Sequence, residues 1–143
     1  MNNKFKLSVA IASALFFTAC ANNTLPREDK PDVSLTNTYW KAMVFYDTKV
    51  QVVRKEAHIK FDTNSRVHGV LGCNNFFGSF KKEDTNISFQ HIGSTRMLCQ
   101  NMKTEDTFSK VLKETKTYQI KGEVLYFFDK KGTTISTFNA VYF

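Results

Sequence analysis

The sequence predicts an α+β domain in which one main helix is wrapped by a strongly curved antiparallel sheet. We expect an open or cracked barrel of about seven or eight strands. Apolar residues alternate in short segments throughout residues 36–143, and a single segment after Thr104 has helical spacing instead. Turn residues separate the strands at short intervals, which favours antiparallel neighbours. Fourteen phenylalanines in 143 residues supply enough apolar surface for one packed core.

The first half of the domain is predicted to consist of strands. Residues 39–46 are aromatic and favour a strand, and Val50, Val52 and Val53 suggest a second, uneven one. His58 and His68 fall on the polar face of the hairpin that follows, where the two could lie close across strands. The hairpin and the next two strands are predicted at residues 57–61, 66–71, 76–80 and 87–89.

One helix is predicted after these strands. Thr104 is a candidate N-cap, and Glu105 and Asp106 complement the helix dipole in the first turn. That role explains this acidic pair, and a solvated turn explains the pair at residues 83–84. The apolar stripe of the helix comprises Phe108, Val111 and Leu112.

The last part of the domain returns to strands. Residues 118–120 form one, and residues 124–128 are apolar on both faces, which predicts a central strand covered on both sides. A turn at residues 129–132 leads to a strand over 133–143. The apolar parity of this strand switches, which predicts a bulge near Thr137.

The N-terminal segment is predicted to be an export signal. Two lysines precede thirteen uncharged residues, 7–19, which are too few for a bilayer span of about 20 residues. Phe17, Thr18 and Ala19 before Cys20 resemble a bacterial lipobox, although Phe17 replaces the usual aliphatic residue. The resemblance implies a signal peptide at 1–19 and acylation of Cys20, with a flexible tether over 20–35.

This N-terminus carries the expectation of location and partners. Ala21 in place of Asp after Cys20 implies the outer membrane, facing the periplasm, by the Gram-negative sorting convention. The formal charge is +7, and becomes +5 without residues 1–19, which carry two lysines and no acid. Outside the cytoplasm, such a surface favours anionic lipids or acidic partners over nucleic acid. The lysines could equally do no more than solvate the surface.

Two cysteines, Cys73 and Cys99, remain when Cys20 is acylated. An even count in an exported protein favours a disulfide. Two alternatives stay open on the residues alone. One is a catalytic cysteine served by His68 or His91, and the other is a zinc site of His68, Cys73, His91 and Cys99. The His–Cys spacings match no compact zinc motif, so no metal and no cofactor is expected.

Three stretches carry a recognisable motif: residues 66–80, 92–99 and 122–132, with the motif residues Gly72, Cys73, Asn74, Gly78, Thr95, Met97 and Cys99. Together they resemble the META domain, or HslJ-like heat-shock lipoprotein, family. Phe80 departs from the usual tyrosine of its pattern, and Leu98 stands where a small residue is common. The similarity covers about residues 36–143 and implies an antiparallel sheet with a helix, envelope lipoproteins and no settled enzyme activity.

The resemblance also suggests roles for the stretch around Cys73. Gly72 would let the chain bend or approach closely, and Asn74 would hydrogen-bond local backbone. Cys73 would join its strand to the segment before the helix.

The sequence as a whole predicts a non-enzymatic envelope lipoprotein, a stress-related or envelope-integrity binding module with an unknown protein or lipid partner. One alternative is a pilot or chaperone-like lipoprotein that holds a hydrophobic ligand among the aromatic residues 76–77 and 126–128. Another is an inhibitor of an exported hydrolase, although like charges argue against basic lysozymes as targets.

Overall fold

The computed structural model describes residues 31–52 and 54–143; the predicted signal peptide, Cys20 and most of the tether lie outside them. One helix and nine strands form within this part of the chain. They are β1 (Tyr39–Phe45), β2 (Thr48–Lys49), β3 (His58–Phe61), β4 (Arg66–Val70), β5 (Asn75–Glu83), β6 (Asn86–Ser94), α1 (Lys103–Glu114), β7 (Thr117–Lys121), β8 (Val124–Phe128) and β9 (Thr134–Val141).

The strands form a single antiparallel sheet that curves into a ring. Their order is β2-β1-β3-β4-β5-β6-β7-β8-β9, and β1 also pairs with β9, which closes the ring. Between β6 and β7 the only registered pair is Asn86 with Thr117. The barrel is therefore cracked at this seam, as the alternating strand patterns predicted.

The apolar face of the helix packs into the inside of the barrel, whereas its lysines are exposed. Phe108 is fully buried, and its ring lies 4.8 Å from that of Phe45, 5.7 Å from Phe76 and 5.6 Å from Phe138, measured between ring centroids. Val111 and Leu112, the rest of the predicted apolar stripe, are buried as well. Aromatic side chains bury a large apolar area each, so this cluster is the main source of core stability.

Two predictions of element ends are wrong. The second strand is Thr48–Lys49 rather than a valine segment, because the chain reverses through Tyr46 and Asp47, both at positive φ. Val50 and Val52 follow that strand without regular structure, and Val53 lies outside the described residues. Thr104 does not cap the helix, which begins at Lys103 without a side-chain cap bond at the N-cap residue.

Two predictions for the last strands also need correction. β8 is covered on one face only: Leu125 and Phe127 are buried, whereas Val124, Tyr126 and Phe128 are half-buried on the outer face. The irregularity in β9 lies at Ile135, where Phe127 pairs with Ser136 and Phe128 with Thr134. This is two residues before the predicted position at Thr137 and explains why Ile135 and Ser136 are both buried.

The two ends of the barrel carry different parts of the chain. At one end the Asp32 carboxylate accepts a hydrogen bond from the Gly122 N–H at 2.7 Å, and Val33 N–H donates to the Gly122 carbonyl. The first pair of β1 and β9, Tyr39 with Val141, lies at this end. At about 3.3 Å per residue, Phe45 at the far end of β1 is about 20 Å from Tyr39. Within residues 31–52 and 54–143, no helix is long and apolar enough to cross a membrane.

Candidate functional site

The predicted cysteines meet beside the start of α1. Cys73 and Cys99 form a disulfide with their Cα atoms 6.3 Å apart, within the usual range for such bridges. Cys73 is buried. The bridge joins the segment before β5 to the loop that leads into the helix. Because each sulfur is bonded to the other, neither is a thiolate ligand for zinc or a nucleophile.

Asn74, the next residue, holds the same loop through its side chain, which is 1% exposed. Its amide oxygen accepts hydrogen bonds from the Thr95 hydroxyl at 2.8 Å and from the Met97 N–H at 2.7 Å. Its amide nitrogen donates to the Met97 carbonyl at 2.9 Å and to Glu105 Oε1 at 3.0 Å. These four bonds use the full hydrogen-bonding capacity of the amide.

Glu105 completes this arrangement, and the sequence interpretation missed its role. Its carboxylate is 9% exposed, and Oε2 accepts a hydrogen bond from the Asn74 backbone N–H at 2.8 Å. The prediction of a carboxylate that only complements the helix dipole is wrong for Glu105, whereas Asp106 is exposed as expected. We call the disulfide and the bonds among Asn74, Thr95, Met97 and Glu105 the clasp.

The two glycines of the motif allow close contacts near the clasp. Gly72 has φ +120°, and a Cβ atom there would lie 3.0 Å from Thr104 Cγ2 on the helix. A Cβ atom on Gly78 would lie 2.5 Å from Ile92 Cδ1, opposite an extra residue in β6. Both positions therefore favour glycine for reasons of space, and Gly72 for its backbone as well.

A groove lies on the other flank of the helix. The turn between β1 and β2, the residues just after β2 and the first two turns of α1 enclose about 360 Å³. Phe45 is its buried apolar part. It is lined by Phe45, Tyr46, Thr48, Lys49, Val50, Gln51, Asn101, Lys103, Thr104, Thr107 and Lys110. We call this surface the basic groove.

Tyr46 links the two walls of the basic groove. Its hydroxyl donates a hydrogen bond to Glu114 Oε2 at 2.7 Å, and the Lys110 ammonium lies 4.7 Å from its ring centroid. Burial, followed by the hydrogen bond to Glu114, raises the pKa of Tyr46 above that of a free tyrosine. The phenol is therefore neutral at physiological pH.

The histidines lie on the outer face of the sheet, away from the clasp. His58 stacks on Tyr39 with centroids 4.3 Å apart, and burial lowers the pKa of its imidazole. His58 pairs with Val70 and Lys60 with His68, so the two histidines are diagonal neighbours across β3 and β4. His68 and His91 line one outer depression of about 480 Å³. No group of three or more metal-binding side chains occurs within residues 31–52 and 54–143.

The aromatic segments are divided between core and surface. Phe76 and Phe127 are buried in the core, Phe77 is 61% exposed, and Tyr126 and Phe128 are half-buried outside.

Near the β6–β7 seam, a cavity of about 240 Å³ remains beside the helix. It is lined by Leu71, Phe89, Ile92, Ser94, Ser109, Leu112 and Lys113.

These features define a class: a small α+β domain with a cracked antiparallel barrel closed on one helix, and a disulfide clasp at the start of that helix. A family model described as the META domain matches residues 33–142. The chain belongs to the META domain family, as its three motif stretches suggested.

Solved structures share this fold. One protein known from an NMR structure has 21% sequence identity and a TM-score of 0.60, over 73% of this chain and 90% of its own. A Burkholderia xenovorans protein, also known from an NMR structure, has 23% sequence identity and a TM-score of 0.58, over 76% of this chain and 85% of its own. A DUF4847 family protein from Bacteroides vulgatus has 14% sequence identity and a TM-score of 0.55, over 73% of this chain and 93% of its own. None of the curated proteins matches the chain.

Proposed function

We propose that the chain is a lipid-anchored envelope protein whose META domain is a non-enzymatic binding module. The pairing of the cysteines carries this proposal. Cys73 and Cys99 bind each other, which leaves Cys20, of the three in the sequence, for acylation after an apolar export signal. Disulfides of this kind persist in oxidising compartments such as the periplasm, which is consistent with export.

The motif itself supports a structural role rather than catalysis. The side-chain amide of Asn74 is saturated with hydrogen bonds, and its Glu105 partner is buried with it. Catalysis requires groups that can reach a substrate, and these groups are directed at each other. The META domain is not a known enzyme family.

The pilot or chaperone alternative is less well supported. Phe108, Val111 and Leu112 occupy the barrel interior, where a hydrophobic ligand would have to lie. The cavity beside the seam, about 240 Å³, is smaller than usual ligand pockets of roughly 300–1,000 Å³. A binding module with this core would use its outer surfaces. No contact in the described residues favours a hydrolase inhibitor.

The anchor is tested with Cys20→Ser in cells fed an alkynyl fatty acid. We expect this variant to lose the label and to leave the membrane fraction or accumulate as precursor. The Cys73→Ser/Cys99→Ser double variant is the matched control and should keep the label. Equal labelling of Cys20→Ser and wild type would contradict lipidation. Ala21→Asp should move the labelled protein from outer to inner membrane fractions if the sorting prediction holds.

A further inference from the structure

The basic groove has the dimensions and walls of a ligand site. Its volume of about 360 Å³ falls in the usual range for small molecules of roughly 300–1,000 Å³. Phe45, Val50 and the ring of Tyr46 provide apolar surface, and polar side chains provide the remainder of the lining. This mixture is typical of sites in which a few polar groups orient a partly apolar ligand.

The charge of the groove has one sign. Lys49, Lys103 and Lys110 line it, and the described lining residues include no carboxylate. Lys49 and Lys103 form no ion pair within residues 31–52 and 54–143, in contrast to Lys41, which pairs with Glu56. Lys110 contacts the Tyr46 ring and forms an ion pair with Glu114, 3.9 Å away and outside the lining. The two uncompensated ammonium groups of Lys49 and Lys103, with Lys110 beside them, attract an anion, and concave walls strengthen that field.

The neutral donors of the groove indicate which anion. Thr48, Thr104 and Thr107 line it together with the lysines, and no arginine is present among its described lining residues. The Thr107 hydroxyl donates to the Lys103 carbonyl at 2.7 Å, so Thr48 and Thr104 supply the hydroxyl donors. The fork of an arginine suits carboxylate and phosphate alike, whereas lysine binds either anion as a point charge. A phosphate group carries nearly two negative charges and three acceptor oxygens, so several lysines and threonine hydroxyls suit it better than a carboxylate with one charge.

We propose that the basic groove binds a small phosphate-bearing molecule, with the phosphate at Lys49, Lys103 and Lys110 and the organic part against Tyr46. This inference rests on the binding-module part of the proposed function and names its ligand class.

The position of the groove favours a soluble ligand over a lipid of the anchoring membrane. Residues 31–33, where the tether joins the domain, attach at Gly122 beside the Tyr39 end of β1. The groove begins at Phe45, about 20 Å further along the same strand. The test therefore separates binding of a soluble phosphate from binding of a phospholipid headgroup of the anchoring membrane.

The test uses the full chain in a neutral detergent, followed by amide NMR titration at physiological salt. The probes are pyrophosphate, glucose 6-phosphate, citrate and detergent micelles doped with phosphatidylglycerol. We expect saturable shifts with both soluble phosphates, confined to residues 46–51 and 101–110. Absence of saturation by about 10 mM phosphate probe would overturn the proposal. Citrate binding as tight as pyrophosphate, or binding of phosphatidylglycerol alone, would overturn it too.

Two double variants locate the binding. Lys49→Gln/Lys103→Gln should weaken pyrophosphate binding by about tenfold, because two partly exposed ion contacts are lost. Lys81→Gln/Lys82→Gln removes the same charge from another depression, which Lys81 and Lys82 line, and should leave affinity unchanged. Equal weakening by both pairs would show diffuse attraction to a basic protein and would overturn the site. Since all four lysines are exposed, equal thermal midpoints confirm that folding is intact. A negative result would leave the Cys20 labelling outcome unaffected, so the two proposals fail separately.

Discussion

The two flanks of α1 differ in how they hold the same helix. On the clasp flank, a disulfide and the hydrogen bonds that buried Asn74 donates to Glu105 attach the first turn of the helix and the loop before it to the segment preceding β5. On the groove flank, the attachments are the Tyr46–Glu114 hydrogen bond and the contact of Lys110 with the Tyr46 ring, both at partly exposed side chains. Buried polar groups with all their hydrogen-bond partners stabilise a fold, whereas exposed donors remain available for binding. One flank therefore stabilises the fold, and the other is the surface that we propose for binding.

The largest effect is expected from breaking the clasp at Asn74. Asn74→Ala removes four side-chain hydrogen bonds and leaves a buried carboxylate and the Met97 N–H without these partners. We expect a loss of about 3–5 kcal/mol in the free energy of unfolding, measured by urea titration. Asn75→Ala is the matched control, because Asn75 is exposed and its side chain accepts one bond, from Lys55. A similar loss for both variants would show that the clasp is not special.

The second effect comes from the disulfide. Reduction, or the Cys73→Ser/Cys99→Ser double variant, releases a loop that spans 26 residues in sequence. The chain-entropy relation gives a loss of up to about 3–4 kcal/mol. The Asn74 bonds should still hold the loop, so the reduced protein remains folded at 25 °C. The measurement is urea unfolding with and without reductant, together with thiol titration of the unreduced, unfolded protein. Titration of both Cys73 and Cys99 would contradict the bridge.

The smallest effect is expected on the groove flank. Tyr46→Phe removes one partly exposed hydrogen bond and should cost less than about 1 kcal/mol at pH 7. The pKa of Tyr46 is raised in the folded state, so its contribution is complete below the ordinary tyrosine pKa of 10.0 and is lost as pH rises above it.

Absorbance at 295 nm monitors this ionisation. Tyr46 and Tyr39 should ionise above the ordinary tyrosine pKa of 10.0, because burial and a hydrogen bond to a glutamate raise the pKa of both, that of Tyr39 to about 12. Tyr46→Phe should remove one of the two late transitions. If Tyr46→Phe lowers the free energy of unfolding as much as Asn74→Ala does, the two flanks of the helix do not differ in stability.

The elements were predictable because their signals are local. The alternation of Ile59 and Phe61, and the helical spacing of Phe108, Val111 and Leu112, place these side chains inside before any tertiary contact is known. The family motif likewise singled out Gly72, Cys73 and Asn74, but its prediction that Asn74 hydrogen-bonds local backbone is wrong, because the Asn74 side chain bonds to Thr95, Met97 and Glu105.

The rest of the clasp could not be read locally. Glu105 binds Asn74 across 31 residues, and nothing near Glu105 distinguishes it from an acidic residue that complements the helix dipole. Thr104 failed as a cap because the helix begins one residue earlier, where Asn101 accepts a hydrogen bond from the Lys103 N–H. The basic groove joins residues 45–51 to 101–110, and no pattern in either segment predicts that meeting.

Closure of the ring by its first and last strands has a consequence for the order of folding. Tyr39 pairs with Val141, and Trp40 with Ala140, so β1 finds this neighbour only when the final strand is present. Contacts so distant in sequence delay the rate-limiting step, because loop-closure entropy is lost before they form. The β3–β6 meander can assemble early, but barrel closure waits for the whole domain to be synthesised. The barrel of the nascent chain therefore closes late. Until then the chain is incompletely folded, which is the state that a translocation channel requires.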